Sequence, residues 1–368
     1  MIKRILYTAP LVLALVGCSV PSSMALNGRA GRNAFNTTLQ VTTNEQLLLN
    51  MVRLRYCDSP YFLNVQNITN TMTFEAASKA AFNFPGFNQK NPTEVNAGLL
   101  WKSSPTIVYA PIDGKQFSEL LLQPIDLRFL QQLIYSGWDV DRVFRVAVQN
   151  FDNIANAPTA SGPCPKYDHS HVNFFKLTKL LRHFQLNHQL HVGVKMGEGG
   201  GADSELCKSL QIYFPQNGNE SKELAKLLGD VNPYGDGYYI VDVILGFQKK
   251  GEVGIMPRSV LSCMYYLSLG VDLPKEHEVK DMGVSSFSAS AGEFQDPCFM
   301  HDLMHIRHSR SQPKHAYIST YYKGYWFYID ESDITSKRSF LLLMSLYNLQ
   351  AGTPKSRMPV LTIPVGIS

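Results

Sequence analysis

The sequence predicts an α+β fold, and three observations lead there. Helix-type and strand-type hydrophobic patterns both recur, they do not alternate strictly as in a doubly wound sheet, and no repeat of solenoid or propeller period runs through the chain. With 368 residues, 45% of them hydrophobic and 17% charged, there is enough apolar material to bury a substantial core. A formal charge of +4 without any long Lys/Arg run argues against nucleic acid as a partner.

The first element is an address. Lys3 and Arg4 precede an apolar stretch over residues 5–16. This is the shape of a secretory signal, and it is too short for a membrane-spanning helix, which needs about 20 apolar residues. The stretch ends in Leu15-Val16-Gly17-Cys18, which resembles the bacterial lipobox. There, small residues fit the peptidase, and the Cys thiol takes a diacylglyceryl group before cleavage. Residues 1–17 are therefore expected to be a lipoprotein signal peptide, with Cys18 as the lipid-attachment site and first residue of the mature chain. Ser19, standing where Asp would retain a lipoprotein in the inner membrane, favours the outer membrane. Several acyl chains on one Cys satisfy the need for more than one lipid signal in a stable anchor. Residues 18–43 contain no acid and are rich in Ser, Thr, Asn, Gly and Ala, so they read as a lipidated flexible tether. The longest later apolar run, residues 340–349, is interrupted by Ser345 and Asn348, so the expectation is a chain anchored to the membrane rather than spanning it.

The body follows as two α+β halves, residues 44–165 and 166–368. Thr43-Asn44-Glu45-Gln46 fits a capping box, and Leu47, Leu48, Met51, Val52 and Leu54 form a helical stripe after it. Residues 61–65, 71–82 and 106–109 read as strands, 115–122 and 127–135 as helices, and 142–149 as a strand. Pro158, Pro163 and Pro165 mark a connection and a domain boundary. Residues 171–188 predict an amphipathic helix with Phe174, Leu177, Leu181 and Phe184 on its buried face. Strands are expected over 190–196, 210–214 and 238–247, and a helix over 258–269. The clearest hairpin joins 315–322 to 325–329 through Lys323-Gly324, where Gly324 is free to take positive φ. Ser336 then caps a largely apolar helix over 337–350.

Several stretches are similar to an uncharacterised family of bacterial envelope proteins, often lipoproteins. They include LLNMVRLRYCDSP at 48–60, SPTIVYAP at 104–111, SGWDVDRV at 136–143, RSVLSCMYYLSLGVDLP at 258–274 and WFYIDESDITSKRSF at 326–340. The resemblance implies one ancestral unit and an envelope location. It implies no activity and transfers no site residue.

Chemistry-bearing patterns are sparse. His301, His305 and His308 would share one face of a helix, as a zinc site needs, but the alternating apolar residues around them favour a strand with mixed facing. Gly197 to Ala202 fits G-x-G-x-x-A, yet its preceding strand reads as half-exposed, so a loop is expected rather than a phosphate cradle. Asp330, Glu331 and Asp333 could serve acid/base work or hold calcium, but turn-forming and helix-capping acids account for them. Tyr317, Tyr321, Tyr322, Tyr325, Trp326, Phe327 and Tyr328 could stack on envelope sugars or pack across strands. Of the cysteines after Cys18, Cys164 and Cys298 lie beside prolines and are the better bridge candidates; Cys263, among Met264, Tyr265, Tyr266 and Leu267, reads as a core residue, and Cys57 and Cys207 carry no assignment. No G-x-S-x-G, C-x-x-C or Walker A pattern occurs. The expected protein has no catalytic residues, no metal and no cofactor. Its partners are the lipid bilayer, through the acylated N-terminus, and an envelope protein or polymer. A periplasmic hydrolase acting on a cell-wall polymer is the alternative.

Overall fold

The computed structural model describes residues 32–79, 96–156, 170–196, 207–229, 231–235, 237–246, 251–277, 300 and 302–351. Cys18, Cys164, Cys298, His301, the prolines of 158–165 and the glycine-rich 197–202 lie outside them. Helices combine with sheets of mixed but mostly antiparallel pairing, and the fold is α+β. The chain divides into two units: Tyr61–Ile112 with the segment up to Thr43, and Asn44–Pro60 with Asp113 onward.

Helix α1 runs from Arg32 to Arg55 and belongs to both units. It starts well before the expected capping box, so residues 32–43 are helical rather than an unstructured tether. Thr37, Thr38 and Thr42 make this compatible with a polar sequence. Each hydroxyl donates to the carbonyl four residues back, Asn33, Ala34 and Thr38, at 2.9 Å. Thr43 to Gln46 thus sit in the helix interior. Beyond them Leu47, Leu48, Met51, Val52 and Leu54 are buried as their spacing requires.

The first unit is otherwise one ribbon. Strands β1 (Leu63–Lys79) and β2 (Asn96–Pro111) pair antiparallel along their length, from Leu63 opposite Pro111 to Lys79 opposite Asn96, with a bulge between Val65 and Asn67. The Ile112 N–H donates to the Phe62 carbonyl at 2.9 Å and closes the base. The short strands expected at 61–65, 71–82 and 106–109 are therefore parts of two long ones where they are described, residues 80–82 lying outside the described residues. Between the first two, Ile68 and Thr69 stand among Gln and Asn, which are poor strand formers, and pairing with residues 105–108 carries the strand through them.

The second unit holds most of the core. After a short helix α2 (Gly114–Phe117) and a π turn (Ser118–Leu122) come α3 (Leu127–Tyr135) and α4 (Val140–Ala147). Asp126 caps α3 by accepting from the Arg128 N–H at 2.8 Å. Residues 142–149, expected as a strand, are mainly helix. Val140, Val143, Phe144 and Ala147 recur at helical spacing and are fully buried, and that burial outweighs the strand preference of Val and Phe. The strand proper is β3 (Val148–Phe151), paired with β4 (Ile154–Ala155).

Helix α5 (Ser170–Leu186) precedes β5 (His191–Met196), β6 (Cys207–Pro215), α6 (Asn219–Leu228), β7 (Asn232–Tyr234), β8 (Tyr238–Leu245) and β9 (Glu252–Pro257). The sheet order is β4-β3-β9-β8-β6-β5, with β7 also on β8, and β8 with β9 is its parallel pair. Phe174, Leu177, Leu181 and Phe184 of α5 are buried as expected. Phe174 stacks on Phe151 at 5.8 Å between ring centres, and Phe184 stacks on Phe214 at 6.0 Å. Helix α4 packs on α5, and β3 joins β9, across the boundary expected at 165/166. Burying these apolar faces needs elements from both sides, so no division falls there. Helix α6 and strand β9 were not anticipated; Ser221, Leu224 and Leu228 form the short buried face of α6.

Helix α7 (Val260–Ser268) is followed by a 3₁₀ turn (Lys275–His277). A small sheet of order β10-β12-β11 comes next, from β10 (Arg307–Ser309), β11 (Ala316–Tyr322) and β12 (Tyr325–Asp330). The hairpin turn is as expected, with Lys323 at φ 45° and Gly324 at φ 88°. Helix α8 (Ile334–Gln350) is capped by Asp333 rather than Ser336; Asp333 Oδ1 accepts from the Ser336 N–H at 3.0 Å. Phe327, Phe340, Leu342, Leu343 and Leu346 are buried, while Trp326 stays half-buried.

Candidate functional site

A dense polar and aromatic cluster of the second unit forms where the end of α1, the 3₁₀ turn and the β11–β12 hairpin meet. The helix ends at Arg55, and Cys57 takes φ 59°, turning Tyr56 and Asp58 toward the hairpin. The Tyr56 hydroxyl lies 2.7 Å from His277 Nδ1, and its ring packs edge-on against Phe327 with centres 6.1 Å apart. Asp58 Oδ2 accepts from the Tyr322 hydroxyl at 2.6 Å and from Lys323 Nζ at 2.7 Å. The same ammonium stands 4.7 Å from the centre of the Tyr56 ring. On the other side of His277, Glu276 accepts from the Tyr325 hydroxyl and pairs with Arg310.

The electrostatics follow from these contacts. Burial raises the Tyr56 hydroxyl above the ordinary phenol range. Burial, with the Asp58 carboxylate beside it, pushes Tyr322 up to about 12. Burial alone would raise Asp58, but the hydrogen bonds from Lys323 and Tyr322 outweigh it and hold the carboxyl below its usual value. The Tyr325 hydrogen bond, helped by Arg310, lowers Glu276 likewise. Phenols are kept neutral and carboxylates ionised. The cluster is a clasp between a helix end and a hairpin.

The residues singled out by sequence fall around it in different roles. Tyr322, Tyr325 and Phe327 belong to the clasp. Tyr317 packs edge-on against Phe340, and Tyr321, which is exposed, lies against Trp326 at 5.4 Å. Asp330 accepts from both the N–H and hydroxyl of Ser332, at 3.0 and 2.5 Å. Glu331 pairs with Lys337, and Asp333 caps α8. The three acids thus hold a turn and a helix start. The strand expected through the histidines is confined to residues 307–309; Asp302 and Leu303 form a turn instead, stabilised by the Met300 carbonyl. His305 Nε2 lies 2.6 Å from Asp272 Oδ2, whereas His308 packs edge-on against Tyr325. The two rings therefore have separate surroundings. Among the described residues no group of three His, Cys, Asp or Glu side chains is placed to hold a metal. Cys263 is buried and Cys57 exposed, each unbridged.

Sequence reading missed Tyr56, Asp58, Glu276, His277, Arg310 and Lys323 as a group. The only local signal was the helix break at Tyr56-Cys57-Asp58, because His277 lies 221 residues away from its Tyr56 partner.

A cleft of about 200 Å³ lined by Phe151, Ile154, Leu228 and Val253 contains none of the three hairpin acids. Its one carboxylate, Asp152, accepts from the Gly254 N–H at 2.8 Å and serves the sheet. No protein family, curated protein or solved structure matches the chain.

Proposed function

We propose that the chain is a lipoprotein anchored in the bacterial outer membrane, whose α+β body binds or assembles with another envelope component and carries no catalysis. The observation behind this reading is Leu15-Val16-Gly17-Cys18 at the end of a short apolar run that follows two basic residues. Ser19 supports the outer membrane over the inner one. The charged groups of the second unit support binding over hydrolysis. Asp330, Glu331 and Asp333 are engaged in turn, ion pair and cap, and the clasp holds Asp58 below and Tyr322 above their ordinary values. The test is metabolic labelling with radioactive fatty acid. The parent chain should take up label and fractionate with the outer membrane. Cys18→Ala should take up none and persist as an uncleaved precursor. Equal labelling of both proteins would sink the proposal.

A further inference from the structure

The register of the β1–β2 ribbon sorts its residues into two unlike faces. One face carries Ile68 opposite Ile107, Asn70 opposite Pro105, Met72 opposite Ser103, Phe74 opposite Trp101, Ala76 opposite Leu99 and Ser78 opposite Ala97. The other carries Thr69 opposite Thr106, Thr71 opposite Ser104, Thr73 opposite Lys102 and Glu75 opposite Leu100, then Ala77 opposite Gly98 and Lys79 opposite Asn96. A predominantly apolar face backed by a predominantly polar one with interspersed charges is the alternation of a membrane β-barrel, lipid outside and water inside.

Length agrees with this. From Ile68 opposite Ile107 to Ser78 opposite Ala97 the ribbon advances ten residues. At about 3.3 Å each that is about 33 Å, or about 25 Å of height at a tilt near 40°, which matches the apolar band of outer-membrane barrels. At the base of the ribbon Tyr61 and Tyr109 are 57% and 56% exposed, the position of an interfacial aromatic girdle. Ile107 and Val108 beside them are also exposed. No helix among the described residues is long and apolar enough to cross a membrane.

A two-stranded ribbon cannot cross alone. In hydrocarbon, every N–H and C=O on its two open edges would lack a partner, and only closure removes the edges. Among the described residues β1 pairs only with β2. A closed sheet needs further strands, and copies of this chain supply strands of matched length and pattern. We infer that the β1–β2 ribbon is the transmembrane hairpin of a β-barrel assembled from copies of this chain, with the Phe74/Trp101 face toward lipid and the Thr71/Ser104 face toward an aqueous lumen. Since such barrels have eight strands or more, about four chains is the minimum. Pro105 withholds one donor and leaves the remaining rungs of β2 intact. The inference rests on the membrane location proposed above.

The test reconstitutes the full lipidated chain, purified from membranes in detergent, into vesicles of phosphatidylethanolamine and phosphatidylglycerol that contain a small fluorescent dye. The parent should form an oligomer that resists unheated detergent gels, release dye, and give stepwise conductance in planar bilayers. Thr71→Lys should still conduct with its ion preference moved toward anions. Phe74→Lys should lose dye release by at least about tenfold while its body keeps the parent melting curve. The parent's own oligomer and conductance decide the matter even if Phe74→Lys fails to fold. A parent that carries acyl chains on Cys18 and floats with vesicles, yet stays monomeric and releases nothing, would overturn the barrel and leave the anchor standing. Conductance from a chain with no acyl group on Cys18 would support the barrel and overturn the anchor. Equal loss in Thr71→Lys and Phe74→Lys would also overturn the facing assigned to the two strands.

Discussion

Arg258 shows how one buried cation is accommodated without a carboxylate. Its Nη1 donates to the carbonyls of Arg145 and Val146 at 2.8 and 3.1 Å, in the last turn of α4. Its guanidinium lies 4.0 Å over the Tyr266 ring. Helix C-terminal carbonyls carry partial negative charge and lack intrahelical donors, so a guanidinium there satisfies both deficits. Asn156 adds a donor to the Arg145 carbonyl at 2.7 Å, and Arg145 itself reaches out to Asp302 in a forked pair. Arg258→Met should therefore cost about 3 kcal/mol, chiefly by stripping donors from buried carbonyls. Arg258→Lys should recover only part, because one ammonium cannot copy the planar fork or its stacking. Thermal unfolding checks this, and a Met variant that melts with the parent would refute it. The neighbouring Cys263 thiol, pushed up to about 12 by burial, stays protonated and unreactive at neutral pH.

Between elements, the clasp of α1 with the β11–β12 hairpin makes stability depend on pH at both extremes. Asp58 titrates below its ordinary value when folded, so its contribution is present above about pH 4 and is lost as pH falls through the folded value. Tyr322 is raised to about 12, so its contribution is present below the ordinary phenol value of 10 and is lost as pH rises between the two. The Asp58 side chain is 39% exposed, which holds the acid arm to about 1 kcal/mol or less. Tyr322→Phe should flatten the alkaline arm and weaken the acid one, as read from melting temperature against pH. An unchanged profile on both sides would show that the clasp does not couple titration to folding. Gly270 illustrates a different constraint between elements: a Cβ there would run into the Met304 carbonyl, where Val271 and Ile306 bridge.

For the whole molecule, the division into two units separates the ribbon from the body that contains the sheets and most helices. The Phe62–Ile112 hydrogen bond brings the ends of the excursion together, so a short linker can replace it. Deleting residues 63–111 and joining Phe62 to Ile112 through a few Gly and Ser residues should leave the main unfolding transition within a few degrees of the parent, because the second unit keeps its own core. Loss of cooperative unfolding in that variant would show that the ribbon is needed for the body to fold.

The local pattern of residues determined the fold class, the buried stripes of α1 and α5, the apolar helix α8, and the β11–β12 hairpin with its Lys323-Gly324 turn. Helical and strand periodicity and turn chemistry are read within a few residues, so these elements needed nothing distant. The residue types along β1 and β2 were also visible, but their assembly into one ribbon with two unlike faces required the register of pairing. Only tertiary structure decided that residues 142–147 form helix α4, since burial on all sides of Val143 and Phe144 overrides a strand-prone composition. It alone brought Tyr56 and Asp58 to His277, Tyr322 and Lys323, and set Arg258 against the end of α4. Such contacts join residues far apart in the chain and impose no spacing on it; packing selects them after the elements have formed.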